Sequence, residues 1–300
     1  MLIHRQRGVW RSTIITLGRT LFLLAGLLAF LAAPAEGRWE IPDTLAPTVP
    51  EASSEPDAVP LPDATPTNVP LPESADVPIL MYHYVSELPP DADVYRRDLT
   101  VPPDLFEDQL QYLDDAGYHP ITLTDLYLYL TEAYPLPEKP VILTFDDGYR
   151  DAYEVVFPKL LAHGFTGTFF VLATPAHFES DAYLTWSQME EMATAGMDIQ
   201  AHGRDHVDLR GRSYEFLVYQ ILGIKEAIDY HTGREARFFC YPSGRWDADV
   251  IEVLDSAGYW GAVTTQWGRM QSYDHRFEMP RLRVHGEAGL ERFIADLEGP

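Results

Sequence analysis

Asp146 and Asp147 stand side by side at the end of an apolar run, Pro140–Phe145, and Gly148 follows at once. An apolar strand that ends in two acids and a glycine aims carboxylates into a cleft, because glycine lets the chain leave sharply. Further on, His202 and His206 set two imidazoles four residues apart. Aspartate with a pair of histidines is the inventory of a metal site, and together the two motifs imply a metal-dependent hydrolase. Either histidine alone reads as an ordinary polar residue at a strand end; the acid pair is what favours the metal reading. The acids raise one geometric question. Neighbouring strand residues point to opposite faces, so the backbone must already bend at Asp146 if both carboxylates serve one site.

Such residues need a scaffold that brings strand ends together. From Val77 onward, apolar runs alternate with amphipathic segments. Periodicity predicts strands at Val77–Met81, Val141–Phe145, Thr166–Leu172, Asp198–Ala201, Arg237–Tyr241, Gly261–Thr265 and Arg281–Val284. It predicts helices at Pro103–Ala116, Leu123–Ala133, Asp151–His163, Ser187–Ala195, Ser213–Tyr230 and Asp247–Ala257. Ser187 and Asp247 are the expected N-caps, and Gly164, Gly196, Gly233 and Gly258 the stop signals. The alternation predicts an α/β domain with a mainly parallel sheet, open or closed into a barrel. In either form chemistry gathers at the C-terminal strand ends. Tyr82, His83 and Tyr84, the two acids, the two histidines, and Pro242 to Gly244 all fall there.

A formal net charge of −24 disfavours nucleic acid as a partner, since phosphate binding needs clustered Lys and Arg. The single cysteine, Cys240, rules out a disulfide within the chain and a Cys-based zinc site. Its apolar neighbours predict a buried, inert thiol. Residues 1–35 read as a signal peptide or a retained membrane anchor. Arg5, Arg7, Arg11 and Arg19 precede an uncharged core, Leu21–Ala33, and Ala33 to Ala35 fits a small-x-small cleavage site. Cleavage would remove four arginines and no acids, taking the charge from −24 to −28. Residues 36–77 hold nine prolines between Pro42 and Pro72 and predict an extended, disordered linker before a folded domain at 78–300.

Taken together, these motifs resemble the polysaccharide deacetylase family, the NodB-homology group also called carbohydrate esterase family 4. The match rests on Thr144 to Gly148 for the first motif and on His202 with His206 for the second. Leu80 to Val85, Tyr241 to Gly244 and Pro280 to Val284 look like the branch that de-N-acetylates poly-N-acetylglucosamine in biofilm matrices. The resemblance covers roughly residues 78–285 and implies a distorted (β/α) barrel. Three positions depart from the family pattern. Gly203 replaces a usual Ser or Thr and forgoes a supporting hydrogen bond. Asp205 replaces a common Thr and is expected to bring another carboxylate near the metal. Ser243 replaces a usual aromatic and would open the pocket.

By the same resemblance, Asp147, His202 and His206 hold a divalent metal, zinc by preference, with cobalt or nickel as alternatives. Asp146 is the general base, and His83 protonates the departing amine, with His285 as rival. Arg281 reads either as the partner that keeps Asp146 ionised, a role family arginines fill from a different motif, or as a member of a surface salt bridge. A backbone N–H near Ser243 faces the oxyanion. Tyr82, Tyr84, Tyr149, Trp186, Trp246 and Trp267 are candidates for stacking on sugar rings. The implied activity is N-deacetylation of an extracellular or cell-wall polysaccharide by an exported enzyme. Two other readings stay open: a peptidoglycan or acetylated-xylan deacetylase on the same fold, and a non-catalytic carbohydrate-binding module.

Overall fold

Seven apolar runs form the strands that carry the site: β1 (Ile79–Tyr82), β2 (Pro140–Phe145), β3 (Thr168–Val171), β4 (Asp198–Ala201), β5 (Phe238–Cys240), β6 (Gly261–Trp267) and β7 (Met279–Arg283). In this computed structural model, which describes residues 70–299, each strand pairs in parallel with the next. β1 also pairs with β7, at Leu80 with Leu282, so the sheet closes into a seven-stranded parallel barrel. The signal or anchor segment and most of the proline-rich linker lie outside the described residues. Ala75–Asp76, in the stretch assigned to the end of that linker, pairs with Met270–Gln271, and Val77 is buried.

Alternation along the strands divides the apolar residues into two clusters. Ile79, Ile142, Phe170, Phe238, Val263 and Met279 form an inner cluster with Leu123, Leu126 and Leu130 of the helix Leu123–Glu132. Leu80, Leu143, Phe145, Phe169, Ala201, Phe239 and Leu282 face outward onto the surrounding helices. Arg281 has the inner register of Met279 on β7, which places a guanidinium inside the barrel, 5.9 Å from the Phe170 ring centre.

The helices start and stop largely where their cap residues dictate. Asp247 caps Ala248–Ser256, and Gly164 and Gly233 close their helices in left-handed geometry. One cap differs from expectation. Thr185, in extended geometry, accepts from Gln188 N–H and completes a capping box, so that helix begins at Trp186 and Ser187 lies inside it. The segment expected as one helix from Asp151 begins instead as a π turn, Ala152–Val156, before α-helix Phe157–His163. Pro158 has no N–H to offer the carbonyl four residues back, and the wider turn accommodates that.

Candidate active site

The bend that the acid pair requires is present. Asp146 leaves β2 and its backbone N–H donates to Tyr82 O, while Asp147 adopts φ 74° and Gly148 φ 69°. This left-handed pair turns the chain at once, and the two carboxylates go to different partners. Gly148 is also needed for space, since a Cβ there would sit 3.2 Å from the Val171 backbone.

Asp147 meets the histidines. Its Oδ1 lies 3.0 Å from His202 Nε2 and 3.2 Å from His206 Nε2. His202 follows β4 directly, and its Nδ1 donates to the Cys240 carbonyl at 2.7 Å, which orients the ring and leaves Nε2 toward Asp147. One ligand atom from each of Asp147, His202 and His206 lies within 4.8 Å of the others. One carboxylate oxygen and two imidazole nitrogens suit a divalent ion such as zinc and leave positions for water and substrate. Burial works to raise Asp147, but the His202 hydrogen bond and the nearby imidazoles outweigh it and hold the carboxyl well below the usual range. Burial lowers His206, with His202 adding to it.

Asp146 turns into the barrel and meets Arg281. Two hydrogen bonds of 2.7 Å link the guanidinium to its two carboxylate oxygens, with Arg281 0% and Asp146 3% exposed. Arg281 also donates to Thr264 O and Thr144 Oγ1, both at 2.9 Å. Burial opposes ionisation of Asp146, and Arg281 overrides it, holding the carboxyl below its ordinary value. Cys240 is buried as expected, and its thiol contacts Asp146 Oδ2 at 3.4 Å; burial pushes that thiol up, so it stays protonated.

His83 follows β1 and places Nε2 3.9 Å from Asp146 Oδ2. Burial lowers its imidazole below the ordinary value, against the pull of both aspartates. His285 is engaged elsewhere, with Nδ1 2.6 Å from Asp98 Oδ1. Ser243 is exposed on the one-turn helix Pro242–Gly244 after β5, with φ 57°.

Of the stacking candidates, Tyr82 is excluded: it is fully buried, hydrogen-bonds Gln109 and packs on Phe106 and Phe145. Tyr84 and Tyr149 stack on each other at 3.8 Å, with the Arg96 guanidinium over Tyr84. Trp186 stacks on His231 and Trp246 packs near Tyr241, whereas Trp267 is exposed.

Sequence reading did not single out Asp151. Its Oδ2 accepts from Val85 N–H at 3.1 Å and so ties the loop bearing His83 to the loop bearing the acid pair. Its Oδ1 is buried without a partner, and burial pushes this carboxyl up to about 6. The sign differs from that of Asp146. A raised acid binds more protons folded than unfolded, so its stabilising effect is full below pH ~4 and lost as pH rises through about 6. Asp151→Asn keeps an acceptor for Val85 and removes the charge. The expected result is a gain of about 1–2 kcal/mol at pH 7 over wild type, less than the full shift because the residue keeps some solvent access. The gain should vanish at pH 4; urea denaturation at the two pH values checks it.

Comparison with known proteins fits this geometry. The family model for polysaccharide deacetylase matches residues 133–262. The Bacillus subtilis (strain 168) protein YxkH, which carries a polysaccharide deacetylase designation, is 31% identical over 224 residues, covering 75% of this chain and 77% of its own. The chain belongs to the polysaccharide deacetylase family. The poly-beta-1,6-N-acetyl-D-glucosamine N-deacetylase of Escherichia coli (strain K12) is 30% identical over 243 residues, which are 67% of this chain but only 36% of that one. The Streptococcus pyogenes deacetylase PplD, solved in complex with acetate, superposes with a TM-score of 0.69 at 30% identity, covering 75% of this chain and 99% of its own.

Within this polysaccharide deacetylase, two departures read from the motifs take a different form from that expected. Asp205 does not join the ligand cluster, which among the described residues holds Asp147, His202 and His206; its carboxylate accepts instead from Gln220 Nε2 at 2.6 Å. Gly203 adopts φ 87°, and the loop it opens takes its side-chain support from Gln220 rather than from a hydroxyl. Gln220 was legible only as part of the pattern of a long helix.

Proposed function

We propose that the protein is an exported, metal-dependent N-deacetylase that removes acetyl groups from N-acetylglucosamine-containing polysaccharide and releases acetate. The observation that carries this reading is the division of labour between adjacent acids. Asp147 joins two histidines in a ligand set, while Asp146, anionic against Arg281, stands 3.9 Å from His83. The E. coli relative supports the choice of polymer by its name, and the basic-then-apolar start of the chain supports export.

A divalent ion on Asp147, His202 and His206 would supply Lewis acidity to the acetyl carbonyl and to the attacking water. The remaining steps belong to side chains. Asp146 takes the proton of that water as it attacks. Its bidentate partner keeps it charged and fixes its orientation, so the acceptor oxygen is in place before substrate arrives. The tetrahedral oxyanion is met by a backbone N–H at Ser243. His83 delivers a proton to the nitrogen, turning a poor leaving group into a neutral amine. Tyr84 and Tyr149 provide an aromatic wall beside the site.

The test is acetate release from poly-N-acetylglucosamine oligomers, from peptidoglycan and from acetylated xylan, with chelator and then with zinc, cobalt or nickel restored. Metal-restored release from the glucosamine polymer alone is the expected result. Release from another polymer would move the substrate assignment, and metal uptake without any turnover would make the chain a binding module.

A further inference from the structure

The loop that separates the two histidine ligands is braced by a side chain from a helix that carries no ligand. Gln220 lies near the middle of Tyr214–Thr232 and is 1% exposed. Its Oε1 accepts from the N–H groups of Arg204 at 2.9 Å and Asp205 at 3.2 Å, and its Nε2 donates to Asp205 Oδ2 at 2.6 Å. A buried amide on the packed face of a helix is costly unless its bonds are met, and here three are met by the stretch between His202 and His206. The backbone adds two holds from the neighbouring turn, Ala173 N–H to Gly203 O and Thr174 N–H to Arg204 O. The loop needs them. Gly203 and His206 are both left-handed, at φ 87° and 47°, and a non-glycine residue in that region costs about 1–3 kcal/mol unless its surroundings enforce it.

We propose that Gln220 is a positioning residue for the metal-ligand loop. By clamping two consecutive peptide N–H groups and the Asp205 carboxylate, it sets the separation of His202 and His206 and thereby the affinity for a divalent cation. This rests on the reading of Asp147, His202 and His206 as a metal site.

The experiment is Co2+ titration of the full chain, followed by visible absorption and well below the melting temperature, in wild type, Gln220→Glu and the exchange Gln220→Glu/Asp205→Asn. Glutamate still accepts from both N–H groups but cannot donate, and it faces the Asp205 carboxylate. The Co2+ Kd of Gln220→Glu should rise about 10- to 100-fold with a changed ligand-field spectrum. In the exchanged pair the asparagine amide donates to the glutamate, so Kd and spectrum should return to within about threefold of wild type. An unchanged Kd in Gln220→Glu, or no recovery in the exchange, overturns the proposal. Should Gln220→Glu not fold, Asp205→Ala, at an exposed position, decides: a weakened Kd supports the clamp and an unchanged one overturns it. Wild-type protein that takes up no Co2+ instead overturns the metal-site reading itself, and the clamp with it.

Discussion

Arg281→Met should destabilise the protein by about 3–5 kcal/mol, the usual consequence of leaving one member of a buried ion pair without its partner. Neither Arg281 nor Asp146 has useful access to water, and the two 2.7 Å hydrogen bonds between them are the main compensation for burying the carboxylate. Methionine fills the space but leaves a charged acid inside the barrel. For a domain of this size the melting temperature should fall by about 10 °C. The double variant Arg281→Met/Asp146→Asn removes both charges and should recover at least half of the lost stability while remaining inactive. Urea denaturation of the three proteins checks this. A single variant as stable as wild type would mean that water reaches the pair, contrary to its burial.

His83→Gln is expected to lower kcat/KM for an N-acetylated sugar oligomer by about 10²–10⁴-fold, the range for loss of a positioned proton donor. The substrate dependence is the sharper part. Nitrophenolate departs without protonation, so hydrolysis of nitrophenyl acetate should fall by less than about tenfold in the same variant. His285→Gln should leave both reactions within about twofold, because that ring is held by Asp98 rather than by the acid pair. Equal losses on amide and ester in His83→Gln would remove it as general acid. A loss confined to the amide in His285→Gln would restore its rival.

The seven strands were legible because each is a short apolar run bounded by turn residues, and a mainly parallel sheet followed from their alternation with helices; that it closes into a barrel was implied only by the family resemblance. Asp146, Asp147, His202 and His206 were legible because they sit at strand ends in compact motifs. How the two acids divide was not, because it depends on φ 74° at Asp147, a conformation that neighbouring residues do not announce. Arg281 could be named from its motif, yet its complete burial follows from strand register, which a local pattern does not fix. Gln220 and Asp151 act through partners 15 or more residues away, Asp205 and Val85, and only folding brings those pairs together. The last helix, Gly289–Glu298, did carry a readable signal: Leu290, Phe293, Ile294 and Leu297 recur at helical spacing.

Closure of the barrel has a consequence for the order in which the molecule is made. The partners of the ion pair are 135 residues apart, so a growing chain contains Asp146 long before it contains Arg281. Until β7 is synthesised, the sheet is an open ribbon whose outer strands, β1 and β6, present unpaired edges. The candidate ligands are all synthesised earlier, since Asp147, His202 and His206 follow β2 and β4, which flank a common neighbour. The final strand therefore does two things in one event: it seals both edges and brings the guanidinium that holds the Asp146 carboxylate ionised. A chain ending before β7 contains Asp147, His202 and His206 but lacks the guanidinium that pairs with Asp146.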